Sequence, residues 1–197
     1  MQLAIIDSGG ANIASVRFAI ERLGVQAELT VDPECVRAAS HVILPGVGAA
    51  ADCMERLRQH GLIDAIKALR QPLLGICVGM QILFDSSEEG DVACLGLLPG
   101  RVQRFADRAG LPVPHMGWNR LHVLHPSPLT QGVRADDYLY FVHSYAAPVS
   151  AATLASTEYG APFSAIVRKD NIYGVQFHPE RSARVGALIL KNFLSIR

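Results

Sequence analysis

Half of the 197 residues are hydrophobic and only 18% are charged, so the chain can bury a substantial core and is too apolar for wholesale disorder. Its 18 Lys plus Arg balance 18 Asp plus Glu, whereas a general nucleic-acid binder carries a basic excess, and that class is set aside. No secretory signal follows from the opening MQLAIID, and no run of 18 apolar residues exists to span a membrane. The four cysteines, Cys35, Cys53, Cys77 and Cys94, show neither CxxC pairing nor zinc-ligand spacing. They imply a reduced, cytoplasmic setting, with three of them acting as small apolar residues.

Leu3 to Ile6 reads as a buried strand, and after Gly10 the residues Ile13, Val16, Ile20 and Leu23 share one helical face. Gln26 to Thr30 and His41 to Leu44 are further strands. A helical region from Ala49 to Arg70 breaks near Gly61. Leu73 to Cys77 is an apolar strand that runs straight into a helical pattern ending at Phe84. This alternation predicts a parallel sheet with helices on both faces. The second half changes to strands separated by Pro and Gly turns: Gly100 to Phe105, Trp118 to Leu124, Tyr138 to His143, Thr153 to Tyr159, Phe163 to Arg168 and Ile172 to Phe177. Lys169-Asp170-Asn171 forms a hairpin tip, and a closing helix from Ala183 to Leu194 turns Val185, Leu188 and Ile189 inward. With no linker or repeat in view, residues 1–197 form a single α/β domain. Its central sheet is mixed and largely parallel, flanked by helices, with additional antiparallel strands.

The segment Leu73-Leu74-Gly75-Ile76-Cys77-Val78-Gly79-Met80-Gln81 sets a cysteine where a strand meets a helix. Glycines two residues before and after it give G-x-C-x-G, the thiol form of a nucleophile elbow. A sharp turn lifts the sulfur above the sheet, and side chains at the flanking positions would collide with backbone. The adjacent helix N-terminus favours thiolate. A buried cysteine between packing glycines is the plain alternative, but this composition yields only about 0.03 such matches by chance. The segment Gly174-Val175-Gln176-Phe177-His178-Pro179-Glu180 brings an imidazole to the end of the last strand. Pro179 keeps His178 out of helical geometry, and in extended chain residues two apart share a side, so Glu180 falls beside His178. A carboxylate there fixes the imidazole tautomer and stabilises the imidazolium. A surface histidine beside a turn proline competes with that reading for a lone HPE. Cys77 and His178 are joined only by a tertiary inference.

The runs G-I-C-V-G-M-Q and G-V-Q-F-H-P-E resemble those of the class I, triad-type glutamine amidotransferases, and the likeness covers the whole chain. It begins with Asp7-Ser8-Gly9-Gly10-Ala11-Asn12 and Pro45-Gly46-Val47-Gly48. His115-Met116-Gly117-Trp118-Asn119 and Phe141-Val142-His143-Ser144-Tyr145 favour the glutaminase subunits of imidazole glycerol phosphate synthase, with those of pyridoxal phosphate, anthranilate or aminodeoxychorismate synthesis as the closest rivals. A stand-alone cysteine hydrolase remains a rival of another kind. The resemblance implies glutamine hydrolysis by a Cys77, His178, Glu180 triad, with an oxyanion hole from the Val78 N–H and the peptide at Gly46-Val47. It implies that Gly48, Gln81, Glu89, His143, Ser144 and Tyr145 hold glutamine. It implies a heterodimer with a (β/α)8-barrel cyclase, contacted through Asn12, Trp118, Tyr140 and Arg181. Neither metal nor cofactor is called for, and the H-x-x-H at His122 and His125 lacks companion ligands. The chain departs from the family at Ser8, where tyrosine is usual, and at Arg181, where lysine is usual. Both fall in segments that the family uses near its partner.

Overall fold

The structure is a computed structural model describing residues 2–10 and 12–197; Met1, and Ala11 of the Asp7 to Asn12 segment, lie outside the described residues. Strand and helix alternate first: β1 (Leu3–Ile6), α1 (Ile13–Glu21), β2 (Ala27–Thr30), α2 (Pro33–Ala38), β3 (His41–Gly46), α3 (Ala50–Gln59), α4 (Leu62–Lys67), β4 (Leu73–Cys77) and the single turn α5 (Val78–Gln81). Every residue of β1, β3 and β4 is buried, the pattern of parallel strands covered on both faces. Helix α2 was not legible in the hydrophobic pattern, yet its signal is present. The Asp32 carboxylate accepts from Glu34 N at its start, and Pro33 occupies the first turn.

Strands dominate thereafter: β5 (Ser86–Ser87), β6 (Val92–Ala93), β7 (Arg101–Arg104), β8 (His115–Arg120), β9 (His122–Val123), β10 (Tyr138–His143), β11 (Tyr145–Ala146), β12 (Thr153–Tyr159), β13 (Ala161–Lys169) and β14 (Ile172–Val175). Helix α6 (Ala183–Leu194) closes the chain. The main sheet runs β2-β1-β3-β4-β14-β13-β12-β9. It is parallel from β2 to β14 and antiparallel beyond. The mixed, largely parallel α/β sheet with added antiparallel strands is therefore present. Strands β8 and β10 form their own antiparallel pair, and β11-β7-β5-β6 a small sheet.

Three local expectations need correction. The helical pattern after Cys77 stops at Gln81 and not at Phe84, because the N–H groups of Leu83 and Phe84 reach back only three residues, to Met80 and Gln81. The strand expected from Trp118 to Leu124 breaks at Leu121: β8 begins earlier, at His115, and pairs with β10, whereas β9 joins β12 in the main sheet. On α6, Leu188 is only half-buried, and Leu190 and Phe193 complete the inner face with Val185 and Ile189. The turn at Lys169-Asp170-Asn171 does join antiparallel β13 and β14, with Asp170 at φ 53°.

Strand β4 lies between β3 and β14, its Cys77 level with Gly46 of β3 and its Ile76 level with Val175 of β14. The carboxyl ends of three neighbouring parallel strands therefore open onto one crevice, the usual place for a site in an open α/β sheet.

Candidate active site

Cys77 ends β4 at φ 54° and ψ −114°, a backbone state that costs a residue with a Cβ about 1–3 kcal/mol and persists only where the surroundings enforce it. Two glycines provide that enforcement. A Cβ on Gly79 would sit 1.8 Å from the Leu44 carbonyl oxygen, and one on Gly75 would sit 2.6 Å from the Gly79 carbonyl oxygen. The strands and the first turn of α5 can approach this closely only without side chains there. The sulfur is held at the floor of the crevice, directly before the first N–H groups of α5.

From the end of β14 the chain carries His178 in extended geometry (φ −96°, ψ 98°) into a 3-10 turn over Pro179–Arg181. His178 and Glu180 meet through that turn rather than by alternation along an extended strand. The His178 Nδ1–H donates to Glu180 Oε1 at 2.8 Å, and both side chains are buried. Asn12 Nδ2 donates to the same oxygen at 2.5 Å. Glu180 Oε2 has no partner among the described residues. Burial opposes charge on the His178 ring, but hydrogen bonds to Cys77 and Glu180 and their negative charges outweigh it, raising the imidazole to about 10. Imidazole and thiol thus line one cleft, with the carboxylate held on the imidazole Nδ1.

His178 is also bolted to β10. Its N–H donates to the Tyr140 carbonyl (2.9 Å), the Ser182 hydroxyl donates to the His178 carbonyl (2.7 Å), and Tyr140 N–H donates to that hydroxyl (3.0 Å). Sequence reasoning missed Ser182; its signal, a serine four residues after the histidine, is too common to stand out.

A cleft of about 520 Å³ opens over the sulfur. Cys77, Val78, Val47, Gly48 and His178 line it, as do Gln81, Glu89, His143, Ser144 and Tyr145. Gly46 lies beneath, beside Cys77 in the sheet register. Among the residues expected at a partner surface, Asn12 and Arg181 lie on the cleft wall, while Trp118 and Tyr140 do not. Glu89 has a second engagement, since its Oε2 accepts from Ala50 N (2.8 Å) at the start of α3. Burial raises its pKa, partly offset by that hydrogen bond, with Asp52 adding to the rise.

His143 is buried, and its Nδ1–H donates to the Tyr145 carbonyl at 2.8 Å. Because a carbonyl only accepts, His143 Nε2 must be the acceptor for His115 Nδ1–H (3.3 Å), and His115 Nε2 then accepts from Asn119 (3.3 Å). Burial lowers His143 to about 3, against the hydrogen bond to Tyr145 and helped by the other histidines, and lowers His115 to about 4. Both rings are neutral, which fits His143 for holding backbone and not for proton transfer. Gln176, fully buried, was also missed. A polar residue in the middle of the apolar run before His178 was the available signal.

The outer face of the β8–β10 pair is uncovered. Met116 is 65% exposed and Trp118 53%, with Tyr138 at 44%. Trp118 meets Tyr140 edge to face at 5.9 Å, and the Arg181 guanidinium lies 4.4 Å over the Tyr140 ring. Apolar and aromatic side chains are therefore gathered on one uncovered face of the pair. Ser8, in contrast, is buried and donates its hydroxyl to the Pro45 carbonyl, supporting the Gly46-Val47 segment from below. Cys53 is buried and Cys94 half-buried, but Cys35 is no apolar filler. It is half-buried like Cys94, but its sulfur lies 3.5 Å from Glu28 and Asp32 carboxylate oxygens. Among the described residues no cluster of three or more His, Cys, Asp or Glu could hold a metal ion, and no helix is long and apolar enough to cross a membrane.

Fold and site define an α/β protein with a cysteine elbow facing a histidine–carboxylate pair. The sequence model of the family described as glutamine amidotransferase class-I matches residues 4–196. Two solved structures share the fold over 98% of this chain and 97% of theirs: a glutamine amidotransferase (TM-score 0.75, 20% identity) and PurLQS from Thermotoga maritima (TM-score 0.72, 18% identity). Imidazole glycerol phosphate synthase subunit HisH of Xylella fastidiosa is 53% identical, covering 99% of this chain and 98% of the relative. The HisH subunit of Xanthomonas euvesicatoria is 54% identical over 98% and 97%. The chain belongs to the class-I glutamine amidotransferase family, and within it to the HisH subunits of imidazole glycerol phosphate synthase.

Proposed function

We propose that this chain, acting as one unit over residues 1–197, hydrolyses L-glutamine to glutamate and ammonia with Cys77 as nucleophile, His178 as acid–base and Glu180 as its orienting carboxylate. The observation that carries this reading is the enforced backbone state of Cys77 at the floor of the cleft, which His178, bonded to Glu180, also lines. Sγ attacks the carboxamide carbon, and the developing oxyanion is met by the Val78 N–H and the Gly46-Val47 peptide. Each such donor is worth about 3–4 kcal/mol to the transition state. His178 protonates the departing nitrogen, which leaves as ammonia, and a thioester remains on Cys77. Water, deprotonated by His178, then adds to the thioester, and glutamate departs with the thiol restored. The far end of glutamine is held by Gly48, Gln81, Glu89 and the His143-Ser144-Tyr145 stretch.

The exposed Trp118, Tyr140 and Arg181 face supports docking of a cyclase subunit, read as a (β/α)8 barrel in a cytoplasmic heterodimer. Tyr140 joins that face to the base, since its carbonyl holds the His178 N–H. Asn12, bonded to Glu180, is taken to steady the carboxylate where the partner meets the cleft. Sheltered transfer suits ammonia, which in water at neutral pH is mostly protonated and loses its nucleophilicity. The cyclase would use it to form imidazole glycerol phosphate and aminoimidazole carboxamide ribotide in histidine biosynthesis. Glutamate release measured for the chain alone, with the cyclase, and with cyclase plus its nucleotide ligand tests this. Little release alone and a large rise with both is expected; strong release that ignores the cyclase would overturn it.

A further inference from the structure

We propose that Gln176 is a positioning residue for the sulfur. Its side-chain N–H, aimed by Gln81 and the Tyr145 carbonyl, donates to Cys77 Sγ and stabilises the thiolate. The inference rests on reading Cys77 as the nucleophile and adds a group to that site.

Gln176 is fully buried at the end of β14, where the strand is otherwise apolar. A buried amide needs partners for both ends, and the described residues provide one for each. Gln81 Nε2 lies 3.1 Å from Gln176 Oε1, and Gln176 Nε2 lies 3.8 Å from Cys77 Sγ, an ordinary separation for a donor to a large sulfur. The direction of this chain is not arbitrary. Gln81 reaches the Tyr145 backbone carbonyl at 2.8 Å, and a carbonyl can only accept. Gln81 must therefore turn its amide nitrogen inward. The second hydrogen of that nitrogen points to Gln176, which must answer with its oxygen. What remains facing the sulfur is the Gln176 N–H and not its carbonyl.

That polarity matters for the chemistry. A donor toward sulfur favours the thiolate over the thiol, and an acceptor would do the reverse. With His178 lining the same cleft as the thiol, the amide adds a neutral donor that leaves the charge balance of the pair unaltered. The same Tyr145 carbonyl takes the His143 Nδ1–H, using both of its lone pairs. The backbone proposed to hold glutamine is thus tied to the nucleophile through two glutamine side chains.

The test is the pH dependence of Cys77 alkylation by iodoacetamide in the full-length chain, with the modified peptide located by mass spectrometry. Gln176→Glu keeps an acceptor for Gln81 but turns an oxygen toward sulfur, and should raise the pH midpoint by about one unit or more. Gln176→Met, which keeps bulk without a donor, should raise it by less. Midpoints in both variants equal to that of the unaltered chain would overturn the proposal. If neither variant folds, the side-chain amide proton of Gln176 in the unaltered chain decides. A resonance that moves with the Cys77 midpoint supports donation to sulfur, and one that does not move excludes it. The nucleophile reading fails separately, if Cys77→Ala still releases glutamate with the cyclase present.

Discussion

The two halves of this molecule treat their surfaces in opposite ways. In β1, β3 and β4 every side chain is buried, and the only strain sits at one residue, Cys77. In the β8–β10 pair alternate residues face out, and those that do include Met116, Trp118, Tyr138 and Tyr140. The first half is rigid enough to hold a strained elbow. The second carries buried neutral histidines on one face and an aromatic surface on the other. The proposed nucleophile belongs to the covered half, and the proposed base is fastened to the uncovered one through Tyr140 and Ser182. Joining the halves completes the site, which makes it sensitive to whatever covers the aromatic face.

Substitutions can break this division in order of expected size. Cys77→Ala should lower glutamate release about ten-thousandfold or more in the presence of the cyclase, with little change in melting temperature. Gly79→Ala should harm the covered half itself. Its Cβ would overlap the Leu44 carbonyl oxygen, so a loss of about 3 kcal/mol or more in chemical denaturation is expected, with activity falling alongside. Trp118→Ala, in the uncovered half, should leave denaturation unchanged and weaken cyclase binding by about 2 kcal/mol, read by calorimetry.

A separate test concerns pH. His143 folds neutral with its pKa lowered to about 3 from 6.5, so the unfolded chain binds more protons between those values. Stability should therefore be intact above about pH 6.5 and fall as pH drops toward 3, by up to about 1.4 kcal/mol per unit from this ring. A His143→Gln variant should show a flatter acid limb in denaturation across that window. His178 has the opposite sign. Its pKa is raised to about 10, so its stabilisation is full below about pH 6.5 and disappears as pH rises through 10.

Much of the covered half was legible, because a strand buried on both faces writes itself as an unbroken apolar run such as Leu73 to Cys77. The elbow was legible for a stricter reason: Gly75 and Gly79 are the only residues those close approaches admit. The two-residue strands β5, β6, β9 and β11 were not separable as elements, since pairs of residues carry no period to detect. The split at Leu121 depends on which partner each strand finds, which is a tertiary fact. The meeting of His178 and Glu180 could be expected from their spacing, but its mechanism could not, because a 3-10 turn and not strand alternation brings them together. Gln176 and Ser182 escaped notice because each acts through partners distant in sequence, Gln81 and Tyr140.

The central claim is that glutamine turnover passes through the sulfur of Cys77. Treating the chain and its cyclase with an electrophilic glutamine analogue, then mapping the modified peptide while assaying residual glutamate release, addresses it directly. One adduct on Cys77, gained in step with the loss of release and blocked by glutamine, is the predicted outcome. Undiminished release from a fully modified Cys77, or loss of release with the adduct on Cys35, Cys53 or Cys94, would contradict it.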